Sequence, residues 1–385
     1  TPIRLESAID SALKNNLNIK QATLVAEYQR ALIKSANNIP QTAVTTEIGQ
    51  LNSVYQDNRW GVSQSFNFPT VYVNQKKLFN AEWEKSVFAI ALKEADVKKI
   101  VRKTFYKYLY LKEKQHLLQL NDSMYNLFLQ RANFRFSKGE SNILEKVTAE
   151  TQRGNISIQL RELEKELEVV KLEFNLLLNT FNRFVPGNEK IKIDMKLIWD
   201  SGLVEQHSGL KIIEQQKKIA EINRKLERSK LFPDLNMGYF SGTMRGTGAD
   251  NEFYTASTRF QAVQIGIGIP LFFGAQKARI KASYLELDIS ETNYLLEKKR
   301  LQSEYFSELN QYQANISTVN YFEAVALKNS KIIFETSDSQ FKNGEINYLE
   351  WVMLTNQAIS IQSNYLDAIK NLNETIIQLN YLTSK

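Results

Sequence analysis

The chain has no cysteine among its 385 residues. Disulfides and thiolate metal sites are therefore excluded, and cysteine usage says nothing of the redox compartment. Histidine is almost as scarce. His116 and His207 each lack a second ligand nearby in sequence, so no metal site is expected. No run approaches 18 apolar residues, which rules out a transmembrane helix but not barrel strands, whose signal is far weaker. A phosphate-binding glycine loop and clustered ligand spacings are also missing, so neither an enzyme nor a cofactor is expected. Lysine and arginine alternate with glutamate along helical stretches, and no basic block carries interleaved aromatics. The net charge of +7 thus does not imply a nucleic-acid partner. The opening TPIRLESAID lacks a signal-peptide pattern and reads as a mature or trimmed end.

What is present is a duplication. Residues 135–152 (RFSKGESNILEKVTAETQ) and 340–357 (QFKNGEINYLEWVMLTNQ) align without a gap at an offset of 205 and share eight of eighteen positions. A spacing that large is two copies of one large unit, not a solenoid. Each stretch turns a corner. Gly139 and Gly344 suit the left-handed residue that ends a helix, and Asn142 and Asn347 suit the N-cap of the next. Glu145 and Glu350 stand at capping-box spacing, which predicts a tight helical hairpin with Phe136 on Leu144 and Phe341 on Leu349 across the turn.

In chain order, residues 3–37 have helical apolar spacing up to Pro40. TAVTTEIGQLNS (42–53), a short polar turn, and RWGVSQSFNF (59–68) together predict a hairpin ended by Pro69. Trp60, Val62, Phe66 and Phe68 alternate with Gly61, Ser63, Ser65 and Asn67. Residues 71–136 contain neither Pro nor Gly and predict a helix roughly 100 Å long. A return helix to Asn179 follows, with a heptad seam from Leu160 to Leu177. Residues 181–206 break the pattern and hold a β-like KIKID, reading as a linker or small side domain. The copies are thus 1–180 and 207–385, the second with a hairpin at 234–269 and a helix from 275 to 341. Val263, Ile265, Ile267 and Ile269 share one face of its last strand, and Tyr239 lies on the strand before. Pro40, Pro69, Pro233 and Pro270 mark the four helix–strand junctions.

The fold class is mainly α with a small β part: duplicated strand hairpins plus long coiled-coil hairpins. Four strands cannot close a barrel, but two chains would supply eight and three would supply twelve. The aliphatic and aromatic face suits outer-membrane lipid, with Trp60, Phe66, Phe68 and Tyr239 as an interfacial girdle, and Gly, Ser and Asn facing inward.

LESAIDSALKNN at the start, the two F-x-x-G-E-x-N-x-L-E corners, the junction prolines and IGIGIPLFFGAQKARIKAS together resemble the TolC family of outer-membrane efflux channels over essentially the whole length. The resemblance implies a homotrimer with a twelve-stranded barrel and a helical tunnel across the periplasm. It implies a passive duct that docks through its helical tips on a periplasmic adaptor (a membrane fusion protein) and an inner-membrane transporter of the RND type. FNFPTVYVNQKK resembles the heavy-metal (Cus/Czc-type) branch, which implies export of metal cations; drugs and other small toxic compounds remain the alternative cargo.

By the same resemblance Glu350 matches the first acidic pore ring, while Met353 stands where the second would be. Glu145 matches an acidic residue that holds the entrance shut. The tyrosine and arginine of family closure networks match Phe341 and Ile346, which cannot make that polar link. Phe136, Gly139, Glu140, Ser141, Phe341, Gly344, Glu345 and Ile346 are the candidate adaptor contacts. The rival reading is a periplasmic adaptor or coiled-coil scaffold, which normally has one long helical hairpin flanked by many short strands.

Overall fold

The junction prolines fall where one kind of element gives way to another. In the computed structural model, which describes residues 1–51, 54–139, 142–194 and 201–383 (backbone alone at 201 and 203), the order is as follows. The first copy comprises β1 (Pro2–Ile3), α1 (Leu5–Asn15), α2 (Leu17–Leu32), a 3-10 turn, β2 (Ala43–Gly49), β3 (Asp57–Phe66), α3 (Pro69–Ser137) and α4 (Ile143–Leu178). After β4 (Val185–Pro186) come α5 (Ser208–Ser229), β5 (Asp234–Thr243), β6 (Gly246–Thr247), β7 (Phe253–Tyr254), β8 (Arg259–Gly268) and α6 (Gly274–Tyr321). A π-helical turn (Phe322–Ala326), α7 (Leu327–Asn343) and α8 (Tyr348–Leu382) complete the chain. Segments of both copies mix in each of two compact units: residues 1–22, 90–208 and 298–385 in one, 23–89 and 209–297 in the other.

The second unit holds a four-stranded sheet in the order β2-β3-β5-β8, antiparallel throughout. Its register sets Phe66 opposite Leu235 and Leu235 opposite Ile267, so the proline-flanked strand ends lie at one end of the sheet. Since side chains alternate along a strand, one face carries Trp60, Val62, Tyr239, Val263, Ile265 and Ile267, all of them exposed except the half-buried Phe66 beside them. The other face is small and polar, crossed by the Phe240 ring. A Cβ on Gly61 would come within 2.7 Å of that ring, so only glycine lets it lie flat. The two outer strands, β2 and β8, have no neighbour beyond them among the described residues.

Several local expectations need correction. The first strand of the expected 42–68 hairpin is shorter than the 42–53 segment: β2 covers Ala43–Gly49, where Val44, Thr45, Thr46 and Ile48 are β-formers with a full set of partners on β3. Phe68 and Ile269 lie just past the strands; Phe68 stacks on Phe232 with ring centroids 4.9 Å apart. The N-terminal helix breaks at Asn16, whose side chain accepts from the Asn18 N–H and donates to the Leu177 carbonyl, so it caps α2 and ties it to α4. The helix expected over 275–341 is interrupted by the π-turn, a feature without a sequence signature.

In the first unit the α4 seam is buried at Ile156, Leu163, Leu167, Val170, Phe174 and Leu178, against Val101 and Phe105 of α3 and Leu5, Ala8 and Ile9 of α1. The 191–194 stretch of KIKID joins no ladder among the described residues. The buried Asn373 amide replaces one, accepting from the Ile193 N–H at 2.9 Å and donating to the Ile191 carbonyl at 2.6 Å. Lys192 between them reaches Glu323 in the π-turn at 2.8 Å, and Tyr365 donates to the same carboxylate. Those two hydrogen-bond donors, Lys192 foremost, hold the Glu323 carboxyl below its usual range. A carboxyl depressed on folding stabilises above its unfolded pKa and loses that contribution as pH falls through the folded value. Lys192→Met is therefore expected to lower the melting temperature at pH 7 and to match the unaltered chain at pH 3, and a pH-independent deficit would refute the link.

Candidate functional site

The two corners are built as their residues dictate. Gly139 and Gly344 have φ of +73° and +77°. At Gly344 the chain closes with Glu345 N–H donating to the Gln340 carbonyl and Gly344 N–H to that of Phe341, the paired bonds of a Schellman end. Asn142 accepts from the N–H groups of Leu144 and Glu145. Asn347 and Glu350 form a full reciprocal capping box, with bonds of 2.9 and 3.0 Å. Glu140 and Ser141 lie outside the described residues.

The turns do not pack as expected. Leu144 and Leu349 are 62% and 59% exposed, because each sits on the solvent side of the first turn of its helix. Phe136 is half-exposed beneath the Lys146 ammonium. Phe341 instead joins an aromatic cluster with Phe128, Tyr348 and Trp351. Phe128 stacks on Tyr348 at 4.0 Å and on Trp351 at 5.1 Å, and Phe341 stacks on Trp351 at 5.3 Å. Ala132, Ala149 and Val352 seal the cluster, with Met124, Leu129 and Ile346 at its margin. α3 of the first hairpin is thereby fastened to α8 of the second, and one turn along Tyr125 donates to Asn356 at 2.7 Å.

Burial, with Tyr125 and Glu145 nearby, pushes the Tyr348 hydroxyl pKa up, so it stays neutral. That hydroxyl and the Trp351 indole N–H are buried with no partner among the described residues. A cluster holding such groups is costly to keep dry.

Beside the cluster lies a cleft of about 820 Å³. It gathers Glu145, Glu350, Phe341, Gly344, Glu345 and Ile346 from among the expected residues, together with Arg131 and Arg135. Arg135 meets Glu145 at 3.4 Å, whereas the Glu350 carboxylate is exposed and turned to its own helix end. Met353 is 64% exposed, outside the cleft lining, and Gly139 is also outside it. Sequence reasoning missed Phe128, Tyr348, Trp351 and Arg135. One signal was available, because Tyr348 and Trp351 stand where the first copy has Ile143 and Lys146. The copies differ where one hairpin must grip the other.

Among the described residues no cluster of three His, Cys, Asp or Glu could hold a metal. Residues 203–384, the second copy almost entire, match the family described as outer membrane efflux protein. That span, a little under half of the chain, is similar to the outer membrane efflux protein family. No characterised protein matches by sequence. By fold the likeness extends over the whole chain. CusC superposes with a TM-score of 0.83 at 16% identity, covering 100% of this chain and 92% of that one. CmeC of Campylobacter jejuni gives 0.81 at 13%, covering 98% and 85%. The open state of MtrE of Neisseria gonorrhoeae gives 0.76 at 16%, covering 99% and 88%. The family match over the second copy and the fold likeness over the whole chain both support an efflux channel of the outer membrane rather than an adaptor.

Proposed function

We propose that three copies close their sheets into one twelve-stranded barrel that forms the exit duct of a tripartite efflux system. The observation that carries this is a four-stranded sheet bare at both edges among the described residues, with Val263, Ile265 and Ile267 of its apolar face 72%, 74% and 62% exposed. Unpaired edges are templates for pairing with another strand, and a contiguous exposed apolar face marks a surface that a partner or lipid covers. Both needs are met if β2 of one copy pairs with β8 of the next and lipid covers the outer face.

Glu350 and Glu145 are the pore-aperture residues in this reading, with Met353 in the second ring position. Phe136, Gly139, Glu140, Ser141, Phe341, Gly344, Glu345 and Ile346 meet a periplasmic adaptor, which joins the duct to an inner-membrane transporter of the RND type. The cargo is metal cations or small toxic compounds. With no cysteine and five methionines in the chain, a metal passes through without being held.

The absence of cysteine makes the test clean. Pairs of cysteines, one in Ala43–Gly49 and one in Arg259–Gly268, are expected to give covalent trimers in detergent on oxidation. Intramolecular bonds alone, or a water-soluble monomer, would sink the reading.

A further inference from the structure

Charge is not spread evenly along this chain. The four helical stretches that adjoin the proline end of the sheet, residues 27–40, 69–81, 221–233 and 271–285, carry eleven Lys and Arg against three Glu. That is a net charge of +8, more than the +7 of the whole chain, so everything else together is close to neutral. These stretches pack as one group. Asn74 donates to the Lys225 carbonyl, Gln276 to that of Glu227, and Phe68 stacks on Phe232. Two of the three acids are already occupied, Glu221 by Lys225 at 2.9 Å and Glu227 by Lys230 at 2.5 Å. Lys34, Lys76, Lys77, Arg228, Arg279 and Lys281 are exposed and have no ion pair among the described residues.

This collar is continuous with the apolar face. β8 leads through Ile269 and Leu271, 67% and 75% exposed, to Phe272 at 96%, and α6 begins two residues later. The N-termini of α3 and α6 open at the same level at which α2 with its 3-10 turn and α5 end, so the helix dipoles offset one another and the charge of the collar is that of its side chains. A band of exposed apolar side chains followed at once by a basic ring is the profile of a membrane boundary, where the anion at hand is a lipid phosphate. Lys and Arg stems lie along apolar surface while their heads reach the headgroups.

We propose that this collar binds the headgroups of anionic phospholipids in the leaflet at the proline end of the sheet, and so fixes how deep the barrel sits. The inference rests on the barrel reading above. It is tested on the full chain reconstituted in vesicles of phosphatidylethanolamine and phosphatidylglycerol, with the lipid retained after gentle extraction identified by native mass spectrometry. The expected result is enrichment of phosphatidylglycerol by roughly fivefold over its share of the vesicle, the factor that one base at an anionic surface supplies. It should fall to the bulk ratio in the variant with Lys76→Gln, Lys77→Gln, Arg279→Gln and Lys281→Gln, and also as salt is raised on the unaltered chain. Replacement of the same lysines by arginine should preserve it.

Retained lipid that mirrors the vesicle, or enrichment that survives the four substitutions or high salt, overturns the proposal. So does a variant whose only change is in the ion selectivity of the channel, since the bases would then line the lumen. Failure of the unaltered chain to enter vesicles at all would overturn the barrel reading itself, a separate outcome from entry without headgroup preference. A variant that fails to insert leaves the salt titration of the unaltered chain to decide.

Discussion

Trp351→Ala is expected to lower stability by about 3–5 kcal/mol, the cost of removing a buried tryptophan, and to raise the open probability of the reconstituted channel. Trp351 is 3% exposed and shares the stack with Phe128 and Phe341, joining the second hairpin to the first. By the resemblance to the TolC family, Phe341 and Ile346 stand at the positions of its polar closure link and cannot make one. Apolar stacking is left to hold the helical ends together. Opening the stack would also wet the Tyr348 hydroxyl and the Trp351 N–H, so the latch holds groups that gain from its release. Phe128→Ala should produce the same phenotype, and the double variant should fall short of the sum because both lose one contact. Leu349→Ala, at an exposed site on the same helix, should change stability by less than about 0.5 kcal/mol. Thermal melts and single-channel recording decide. A Trp351→Ala channel that is less stable yet no more often open would leave the stack as packing alone.

Glu350→Lys is expected to reverse or abolish the cation preference of the channel, read as the reversal potential across a planar bilayer in a salt gradient. In the proposed trimer the substitution exchanges three carboxylates for three ammonium groups at the proposed narrowing. Like charges brought that close dominate the local field. Two roles must be separated, because Glu350 also caps α8. Glu350→Gln retains an acceptor for the Asn347 N–H and loses only the charge, so it should reduce selectivity while costing little stability. The lysine variant loses both, at about 1 kcal/mol for the cap. Glu145 offers the contrast. Its carboxylate meets Arg135 of its own chain, so Glu145→Gln should move selectivity less than Glu350→Gln does. Unchanged selectivity in Glu350→Lys would remove the residue from the pore.

Much of this architecture was legible because it is set locally. A glycine that takes positive φ, an asparagine after it and a glutamate three residues on define each corner without reference to the rest of the chain. The junction prolines and the period-two faces of β3, β5 and β8 are equally local. What stayed hidden is relational. Phe128 and Trp351 are 223 positions apart in the sequence, and no spacing rule brings them together. The break at Asn16 turns on a side chain that reaches Leu177, and the π-turn at Phe322 coincides with a carboxylate that meets Lys192 from the segment between the copies. Leu144 and Leu349 were placed across their turns by hydrophobicity alone. The competition for buried space went to aromatic rings on the opposite hairpin.

The bare margins of the four-stranded sheet carry a consequence for biogenesis. A lone copy would travel with two rows of unsatisfied amides and carbonyls, sticky toward any extended peptide it meets. Its survival would depend on a holdase escort or on swift encounter with its siblings. The yield of mature channel should therefore rise more steeply than the rate of synthesis at low expression, and scarcity of the escort should convert the surplus into aggregate.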